Sequence, residues 1–298
     1  MVESGKKPAR MVFRIVNTLF MIAIMVICLL PVWHVLCASF SDGSYVMQQS
    51  GLIWRVHGFN LEGYKLVLQN KSIVTGYLNT LFYVAVSVGF GLLITLMTAY
   101  TVSRKNALWR NVIMVILTVT MLINGGLISS YLVNTQLLGL FNSRLAIILP
   151  GCFSAFNVIL LRTAMLGVPD SLEESAMIDG AGSMTILFKI ILPLISPTIA
   201  TVVLFSVVAN WNSWFPASIY LRDRALFPLQ LVLKEILMSD NVTSGTVLDS
   251  ANVDSSLLIY KELIKYCVII VSSLPIWVMY PFLQKYFEKG MMVGAIKG

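Results

Sequence analysis

Six long apolar segments constrain the fold of this chain more than any other feature of its sequence. They lie at about residues 13–36, 74–102, 111–133, 144–166, 190–220 and 262–284. A helix needs about 20 predominantly apolar residues to cross the roughly 30 Å hydrocarbon core of a membrane. Lipid offers the backbone no hydrogen-bond partners, so each segment is predicted to be helical; a barrel's period-2 alternation is missing. The sequence therefore predicts an all-α membrane protein with six transmembrane helices, forming a single domain over residues 1–298.

Composition supports a membrane protein and argues against a nucleic-acid-binding one. Charged residues make up 12% of the chain, against about 25% in soluble proteins. The formal net charge is +7, but Lys and Arg are scattered and form no stripe, which favours contacts with anionic lipid headgroups. The first apolar run exceeds the roughly 7–15 residues of a signal-peptide core, so it is predicted to be a retained span.

The distribution of positive charge predicts the orientation. An even number of spans places both termini on one side of the membrane, and the short connections on that side are rich in Lys and Arg, as cytoplasmic loops are. These cationic residues are Lys6, Lys7, Arg10, Arg14, Arg104, Lys105, Arg110, Lys285, Lys289 and Lys297. Both termini, the loop 167–189 and the tail 285–298 are therefore predicted to be cytoplasmic.

The loop 167–189 is acidic and carries helix start and stop signals. Ser171 with Glu174, or Asp170 with Glu173, fits a capping box, and Gly180 is placed to end the helix. The pattern predicts one helix of about ten residues in or near the membrane plane. On capping signals alone, an ordinary interfacial loop helix is the alternative.

The spacing within and after this loop resembles a known motif. Glu174-Ser175-Ala176 is followed after three residues by Gly180, and nine residues later by Ile190-x-Leu192-Pro193. This resembles the EAA loop of bacterial ABC importer permeases, the surface through which an ATPase subunit moves the membrane domain. The run I-D-G-A at 178–181, the later Pro197 and the pair Trp211-Asn212 resemble the maltose-type carbohydrate importers. The C-terminal run from 289 to 298 resembles the tail of the maltose-type permease that reaches the ATPase, and its form is closest to that of permeases for complex oligosaccharides.

The resemblance implies the type I ABC importer fold and two contacts with an ATPase. The implied coupling residues are Glu173, Glu174, Ser175, Ala176, Asp179, Gly180, Ile190, Leu192 and Pro193. The implied ATPase-contacting tail residues are Gly294, Lys297 and Gly298. Implied partners are a homologous six-span permease subunit, two cytoplasmic ATPase subunits, an extracytoplasmic solute-binding protein and an oligosaccharide, all at a bacterial cytoplasmic (inner) membrane.

The expected function is therefore that of a permease subunit of an ATP-driven oligosaccharide importer, and not that of an enzyme. The chain has two histidines, His34 and His57, and lacks both a zinc-protease H-E-x-x-H pattern and a phosphate-binding G-x-x-x-x-G-K pattern. ATP and Mg²⁺ are expected on the partner ATPase, with no cofactor or metal on this chain. An amino-acid or peptide ABC permease is the alternative. An ion-coupled carrier is disfavoured because the cores of spans two, three and five hold no ionisable residue.

Polar and aromatic side chains within the spans are the candidates for lining a sugar path. Amides bond hydroxyl groups and indole rings stack on the apolar faces of sugars. The candidates are Asn79, Asn124, Asn157, Asn210, Trp211, Asn212 and Trp214. The alternative for each amide is hydrogen bonding between helices. The resemblance also implies that the main sugar site lies largely in the partner subunit.

Overall fold

A computed structural model of the protein describes residues 6–49, 51–123, 125–243 and 255–295. Across these ranges the regular structure is helical and no β-strand occurs, as the sequence predicts. In chain order the α-helices are α1 Lys6–Ser39, α2 Gly43–Gln48, α3 Glu62–Gln69, α4 Lys71–Ser103, α5 Arg110–Leu122, α6 Gly126–Leu132, α7 Leu145–Cys152, α8 Ala155–Leu166, α9 Asp170–Ile178, α10 Ser183–Thr185, α11 Leu192–Leu194, α12 Ser196–Trp211, α13 Phe215–Tyr220, α14 Leu229–Thr243 and α15 Ser255–Ala295. Two π-helical turns, Val133–Leu137 and Ile186–Ile191, and a 3₁₀ turn, Arg224–Leu226, complete the list.

Long apolar helices match four of the six predicted spans. Within the described ranges, the helical stretches long and apolar enough to cross a membrane are Arg10–Ser39, Lys71–Ser103, Leu145–Leu166 and Glu262–Pro281. The other two predicted spans are pairs of shorter helices, bent between Leu122 and Gly126 and between Leu194 and Ser196. Counting each bent pair as one crossing gives the six spans that the sequence predicts.

The fifth predicted span, 190–220, is not one continuous helix. The stretch Ser183–Leu194 meets Ser196–Trp211 at 84°, and a second break separates Trp211 from α13. Pro193 and Pro197 cause the first break, because proline offers no N–H and its ring clashes with the preceding turn. The π-helical turn Ile186–Ile191 lies directly before Pro193, as expected where a helix accommodates a disrupted hydrogen-bond ladder. These two prolines thus divide the predicted span.

The described chain forms two compact units. Among the described residues, the first comprises those within 1–70 and 237–272, and the second comprises those within 71–236 and 273–298. In the first unit, Cys37, Ala38, Val46 and Ile53 are buried together. The Ile53 N–H donates to His34 Nδ1 over 2.9 Å, so this histidine has a structural partner. Helices α2 and α3 lie between α1 and α4.

Helix α4 is the centre of the second unit. It packs against α7, α8 and α12, and its buried residues join a hydrophobic cluster that includes Leu161, Ile186 and Leu187. At its N-terminal half, Asn79 Nδ2 donates to the carbonyl oxygens of Ala225 and Phe227 over 2.7 and 3.1 Å. Tyr83 and Thr80 add hydrogen bonds to the same segment. Side chains of α4 thus hold the connection between α13 and α14 in place.

Midway along α4, Gly91 lies directly against the backbone of Cys152 at the end of α7. A Cβ added at Gly91 would lie 3.0 Å from Cys152 Cα and closer still to its carbonyl oxygen. Only a residue without a side chain allows this helix–helix distance. Gly89, on the same helix, has open space at the corresponding position.

Candidate functional site

The acidic loop folds into the short helix α9, Asp170–Ile178, and Gly180 ends it as predicted. Gly180 adopts the left-handed conformation, with φ +81°. Its N–H donates to Met177 O over 3.0 Å, and the N–H of Ala181 reaches back to Ala176 O over 2.9 Å. These two bonds form a Schellman motif, in which a left-handed residue, usually glycine, satisfies the last carbonyls of a helix. The D-G-A run thus fixes where α9 stops and how the chain leaves it.

The predicted capping box at the start of α9 is wrong. The N-cap residue is Pro169, which has no side-chain capping bond, so Asp170 and Ser171 already lie inside the helix. The two carboxylates expected to cap the helix instead form ion pairs with cations that follow α4. Arg104 pairs with Glu173, and Lys105 Nζ lies 2.7 Å from Asp170 Oδ2. Acidic side chains in the first turn also favour the helix through its dipole.

The two ion pairs differ in exposure and therefore in strength. The Arg104 and Glu173 side chains are 22% and 12% exposed, whereas those of Lys105 and Asp170 are 76% and 64% exposed. Tyr100 completes the inner pair, since its hydroxyl lies 3.3 Å from Glu173 Oε1 and its ring lies 4.9 Å from Arg104 Cζ. Water and salt screen exposed pairs, which therefore stabilise little. The Arg104–Glu173 pair thus contributes more than the Lys105–Asp170 pair to holding α9 beside the end of α4.

Both members of the outer pair keep their charge throughout the neutral range. Lys105 lowers the pKa of Asp170 below its ordinary value of 3.8, through a hydrogen bond and charge attraction. The stabilisation that ionised Asp170 contributes is therefore fully present above pH 3.8 and is lost only as the pH falls through the lowered pKa of Asp170. Asp170 in turn raises the pKa of Lys105 above 10.5, so this contribution is lost only as the pH rises through the raised pKa.

The faces of α9 have different surroundings. Asp170, Glu173, Glu174 and Met177 line a hollow of about 360 Å³ whose other walls include Tyr100 and Arg104. Ala176 is buried in the hydrophobic cluster of the second unit. The outward face, away from Ala176, carries exposed side chains one turn apart, Glu174 and Ile178, the latter 86% exposed. Glu174 makes no ion pair within 4 Å in the described ranges, although its charge attracts Lys105. An exposed carboxylate beside an exposed isoleucine is a surface suited to a partner protein.

The remaining predicted coupling residues continue from this helix into the second unit. Ser175 and Asp179 are exposed on α9 and at its end. Ile190 and Leu192 pack against the hydrophobic cluster that contains Ala176. Pro193 is exposed at the bend before α12. The structure therefore places the predicted coupling residues on one continuous segment, with its apolar members holding it to the core.

Two of the predicted path residues, Asn157 and Asn210, line a common cavity of about 440 Å³. Its walls come from α7, α8 and α12 and add Ser154, Ser206 and Ser213 as well as Phe153, Phe156 and Phe205. Asn157 Nδ2 donates to Ser206 Oγ over 3.1 Å, and Asn210 Nδ2 donates to Ser206 O over 2.8 Å. Hydroxyls, amides and aromatic rings facing one space of this size are typical of a small-ligand pocket.

The other predicted path residues lie elsewhere. Asn79 is buried and bonded to backbone carbonyls, which is the structural role weighed for it above. Trp211 is buried with its ring 5.7 Å from that of Tyr77. The exposed Asn212 donates to Val208 O in its own helix, and Lys234 Nζ lies 3.6 Å from the ring centre of Trp214. Asn124 lies outside the described residues.

Of the predicted tail residues, Gly294 falls within α15, and Lys297 and Gly298 lie outside the described residues. Arg104, Lys105 and Tyr100 were not predicted as members of the site around α9, and the two cations were cited only as evidence of orientation. An adjacent basic pair at the end of a span indicates a cytoplasmic loop equally well, and only the fold shows that α9 lies beside it.

The sequence and the fold of this chain match those of known transport proteins. Residues 91–293 match the family described as binding-protein-dependent transport system inner membrane component. The chain is 36% identical to the polygalacturonan/rhamnogalacturonan transport system permease protein YtcP of Bacillus subtilis, over 94% of this chain and 96% of that protein. It is 26% identical to the maltodextrin transport system permease protein MalD of Streptococcus pneumoniae, over 80% of each chain. A bacterial ABC transporter that imports the acidic polysaccharide alginate contains a chain with 29% identity and a TM-score of 0.82, covering 96% of this chain and 99% of that one.

These relatives are transport permeases, which confirms the prediction of a transport subunit rather than an enzyme. The bent and straight helices described above accord with the multi-pass membrane fold of a type I ABC importer permease. The chain belongs to the family of binding-protein-dependent transport system inner membrane components.

Proposed function

We propose that this chain is one permease subunit of an ATP-driven oligosaccharide importer. In this proposal it pairs with a homologous six-span subunit, receives sugar from an extracytoplasmic solute-binding protein and is driven by two ATPase subunits. ATP and Mg²⁺ bind the ATPase subunits, and both termini of this chain are cytoplasmic. The single observation that carries the coupling role is the outward face of α9, where Glu174 and Ile178 are exposed while Ala176, on the opposite side of the helix, is buried in the core.

The geometry of α9 supports its assignment as the ATPase docking element. Asp170 and Glu173 form ion pairs within the chain, whereas the exposed Glu174 makes none within 4 Å in the described ranges and attracts Lys105 only from a greater distance. A basic group on the ATPase would complement that charge, and Ile178 would supply apolar contact area. Interfaces commonly combine a desolvated apolar contact with a flanking charge pair.

The substrate assignment rests on the relatives and on the cavity between α7, α8 and α12. Relatives carry names that refer to polygalacturonan, rhamnogalacturonan and maltodextrin, and the structural relative is involved in the import of alginate. The cavity offers two amides, three serine hydroxyls and three phenylalanine rings, which match the hydroxyl groups and apolar ring faces of a sugar. These relatives favour a carbohydrate over the amino acid or peptide of the alternative.

Purification of the intact assembly tests the composition. A tagged chain extracted from its native membrane is expected to bring a second permease and an ATPase, both identifiable by mass spectrometry. The solute-binding protein trapped with this complex is expected to carry an oligosaccharide, whose mass and charge would identify the substrate. An amino acid or peptide in the binding protein would contradict the carbohydrate assignment.

Replacement of Asn157 by Leu is expected to lower transport without dissociating the complex. The substitution keeps the branching of the side chain at Cγ but removes an amide that faces the cavity, and one such hydrogen bond is worth about 0.5–1.5 kcal/mol. Uptake of labelled oligosaccharide by vesicles is therefore expected to fall by roughly threefold to tenfold at subsaturating sugar, as follows from that free energy.

The comparison for this experiment is Asn212→Leu, the same change at an exposed site outside the cavity. If both variants lose transport, the path extends along the end of α12, as the sequence predicted. If Asn157→Leu transports normally while its thermal stability is unchanged, this cavity is not part of the path.

Cysteine labelling tests the orientation. In a Cys28→Ser background, cysteines placed at Gly5 and Gly294 are expected to react only after the cytoplasmic side is opened. Cysteines placed at Arg55 and Gly245 are expected to react with impermeant reagent in intact cells, because an even number of spans puts these loops outside. Labelling of either terminus in intact cells would contradict the proposed orientation.

A further inference from the structure

The contacts that hold α9 to the rest of the chain are unevenly distributed. Its covalent connections are short and contain glycines, with Gly167 before it and Gly180 and Gly182 after it. The exit of α9 is a defined turn, and Ala176 packs in the hydrophobic cluster with Ile186 and Leu187. Beyond these contacts, the charged side chains on its inner face determine whether the end of α4 moves with α9.

The inner face of α9 is tied by charged groups to the C-terminal end of α4. The partly buried Arg104–Glu173 pair lies at the centre, and the Tyr100 hydroxyl bonds the same carboxylate. Arg104 is itself held, because its Nε donates to Ser103 Oγ over 3.0 Å and its guanidinium lies over the Tyr100 ring. The exposed Lys105–Asp170 pair lies beside it.

Helix α4 connects this end with the cavity. It has 33 residues and is therefore about 50 Å long. Along its length it packs on α7, α8 and α12, the helices that wall the 440 Å³ cavity. Arg162 of α8 adds a hydrogen bond from Nε to Val102 O over 3.1 Å, near the end of α4. A movement of the end of α4 would thus reach the cavity walls through direct helix packing.

We propose that Arg104 is a positioning residue which, by holding Glu173 with Tyr100, makes α9 and α4 move as one body during transport. This inference rests on the proposed role of α9 as the ATPase docking element. In this arrangement the outward face of α9 receives the displacement and the inner face passes it to α4. Glu173 and Glu174, adjacent in sequence, therefore have different roles: the first acts within the chain and the second toward the partner.

The first test measures coupling in the complete transporter reconstituted in vesicles with its ATPase and loaded binding protein. Arg104→Gln and Glu173→Gln are expected to keep the ATPase bound, because the Glu174 face is untouched. Oligosaccharide transported per ATP hydrolysed is expected to fall roughly fivefold or more, the usual range of a coupling interaction. The exchanged pair Arg104→Glu with Glu173→Arg is expected to restore most of that ratio.

A matched control breaks an ion pair of the same chemistry elsewhere in the second unit. Arg224 and Glu235 lie 3.4 Å apart on the surface, so Glu235→Gln is expected to leave the ratio unchanged. A wild-type ratio in both Arg104→Gln and Glu173→Gln would overturn the proposal, as would failure of the exchanged pair in a complex of wild-type thermal stability.

The second test asks whether α9 and α4 separate. In a Cys28→Ser background, Lys105→Cys and Asp170→Cys are joined by a short bis-methanethiosulfonate reagent, which replaces the outer ion pair by a covalent link through two disulfides that a reductant cleaves. If the two helices move as one body, the linked transporter retains the transport of the unlinked double variant, or exceeds it. Loss of transport on linking, recovered on reduction, would overturn the proposal because it would show that the helices must separate.

The outcomes distinguish this inference from the proposed function. If the ATPase is absent from the wild-type complex, or remains fully coupled when the outward face of α9 is altered, the docking role itself is wrong. If the outward face proves essential but Arg104 and Glu173 do not, the docking role stands and only the proposal that this ion pair makes α9 and α4 move together is wrong.

Discussion

Replacement of Gly180 by valine is expected to abolish most transport while leaving the membrane helices inserted. Gly180 has φ +81°, where an ordinary L-residue costs about 1–2 kcal/mol and a β-branched residue more. The Schellman bonds that end α9 would be weakened, so its docking conformation would lose roughly 5–30-fold in population. Retention of the ATPase on the tagged permease and vesicle uptake of oligosaccharide measure the effect.

Gly182 provides the matched control for this experiment. It is also a loop glycine with open space around its Cβ position, but its φ of −73° suits any residue. Gly182→Ala is therefore expected to behave as wild type. Glu174→Lys, which reverses an exposed charge without straining the backbone, is expected to dissociate or uncouple the ATPase as Gly180→Val does. Normal transport by both Gly180→Val and Glu174→Lys would rule out α9 as the docking element.

Replacement of Gly91 by alanine is expected to destabilise the helix packing at the centre of the second unit. The added methyl group would meet the backbone of Cys152, which cannot rotate away as a side chain can. Overpacking of this kind costs about 1–3 kcal/mol. A lower midpoint of thermal unfolding in detergent is the expected result, together with lower yield of the assembled complex.

Gly89→Ala, two residues earlier on the same helix, is expected to leave thermal stability unchanged or to raise it, in contrast to Gly91→Ala. A Cβ there meets nothing within 4 Å, and alanine is favoured over glycine in a helix by up to about 1 kcal/mol. Its unfolding midpoint is thus expected to equal or exceed that of the wild type. If both alanine variants shift the midpoint in the same direction by the same amount, the Gly91 contact does not limit the packing of α4 on α7.

Much of this protein could be predicted from local sequence because the membrane imposes strong local rules. A run such as 74–102 has no alternative to a helix in lipid, and α4 spans it as predicted. Gly180 was predicted to end α9 because its left-handed conformation is a property of one residue and its immediate neighbours. The motif Glu174-Ser175-Ala176 to Gly180 indicated the family for the same reason, because all of its residues lie within one short segment of the sequence.

Other features depended on which segments meet, and these only the tertiary structure decided. Asp170 and Glu173 satisfy the local rule for a capping box, yet they pair with Lys105 and Arg104 because folding brings the end of α4 beside α9. The N-cap position is occupied by Pro169, so both carboxylates lie within the first turn of α9 and reach the cations that follow α4. Similarly, Asn79 and Asn212 are amides in apolar segments just as Asn157 and Asn210 are. Only packing determines that the latter two amides face a common cavity while Asn79 bonds backbone carbonyls, since side-chain surroundings are set by helices distant in the chain.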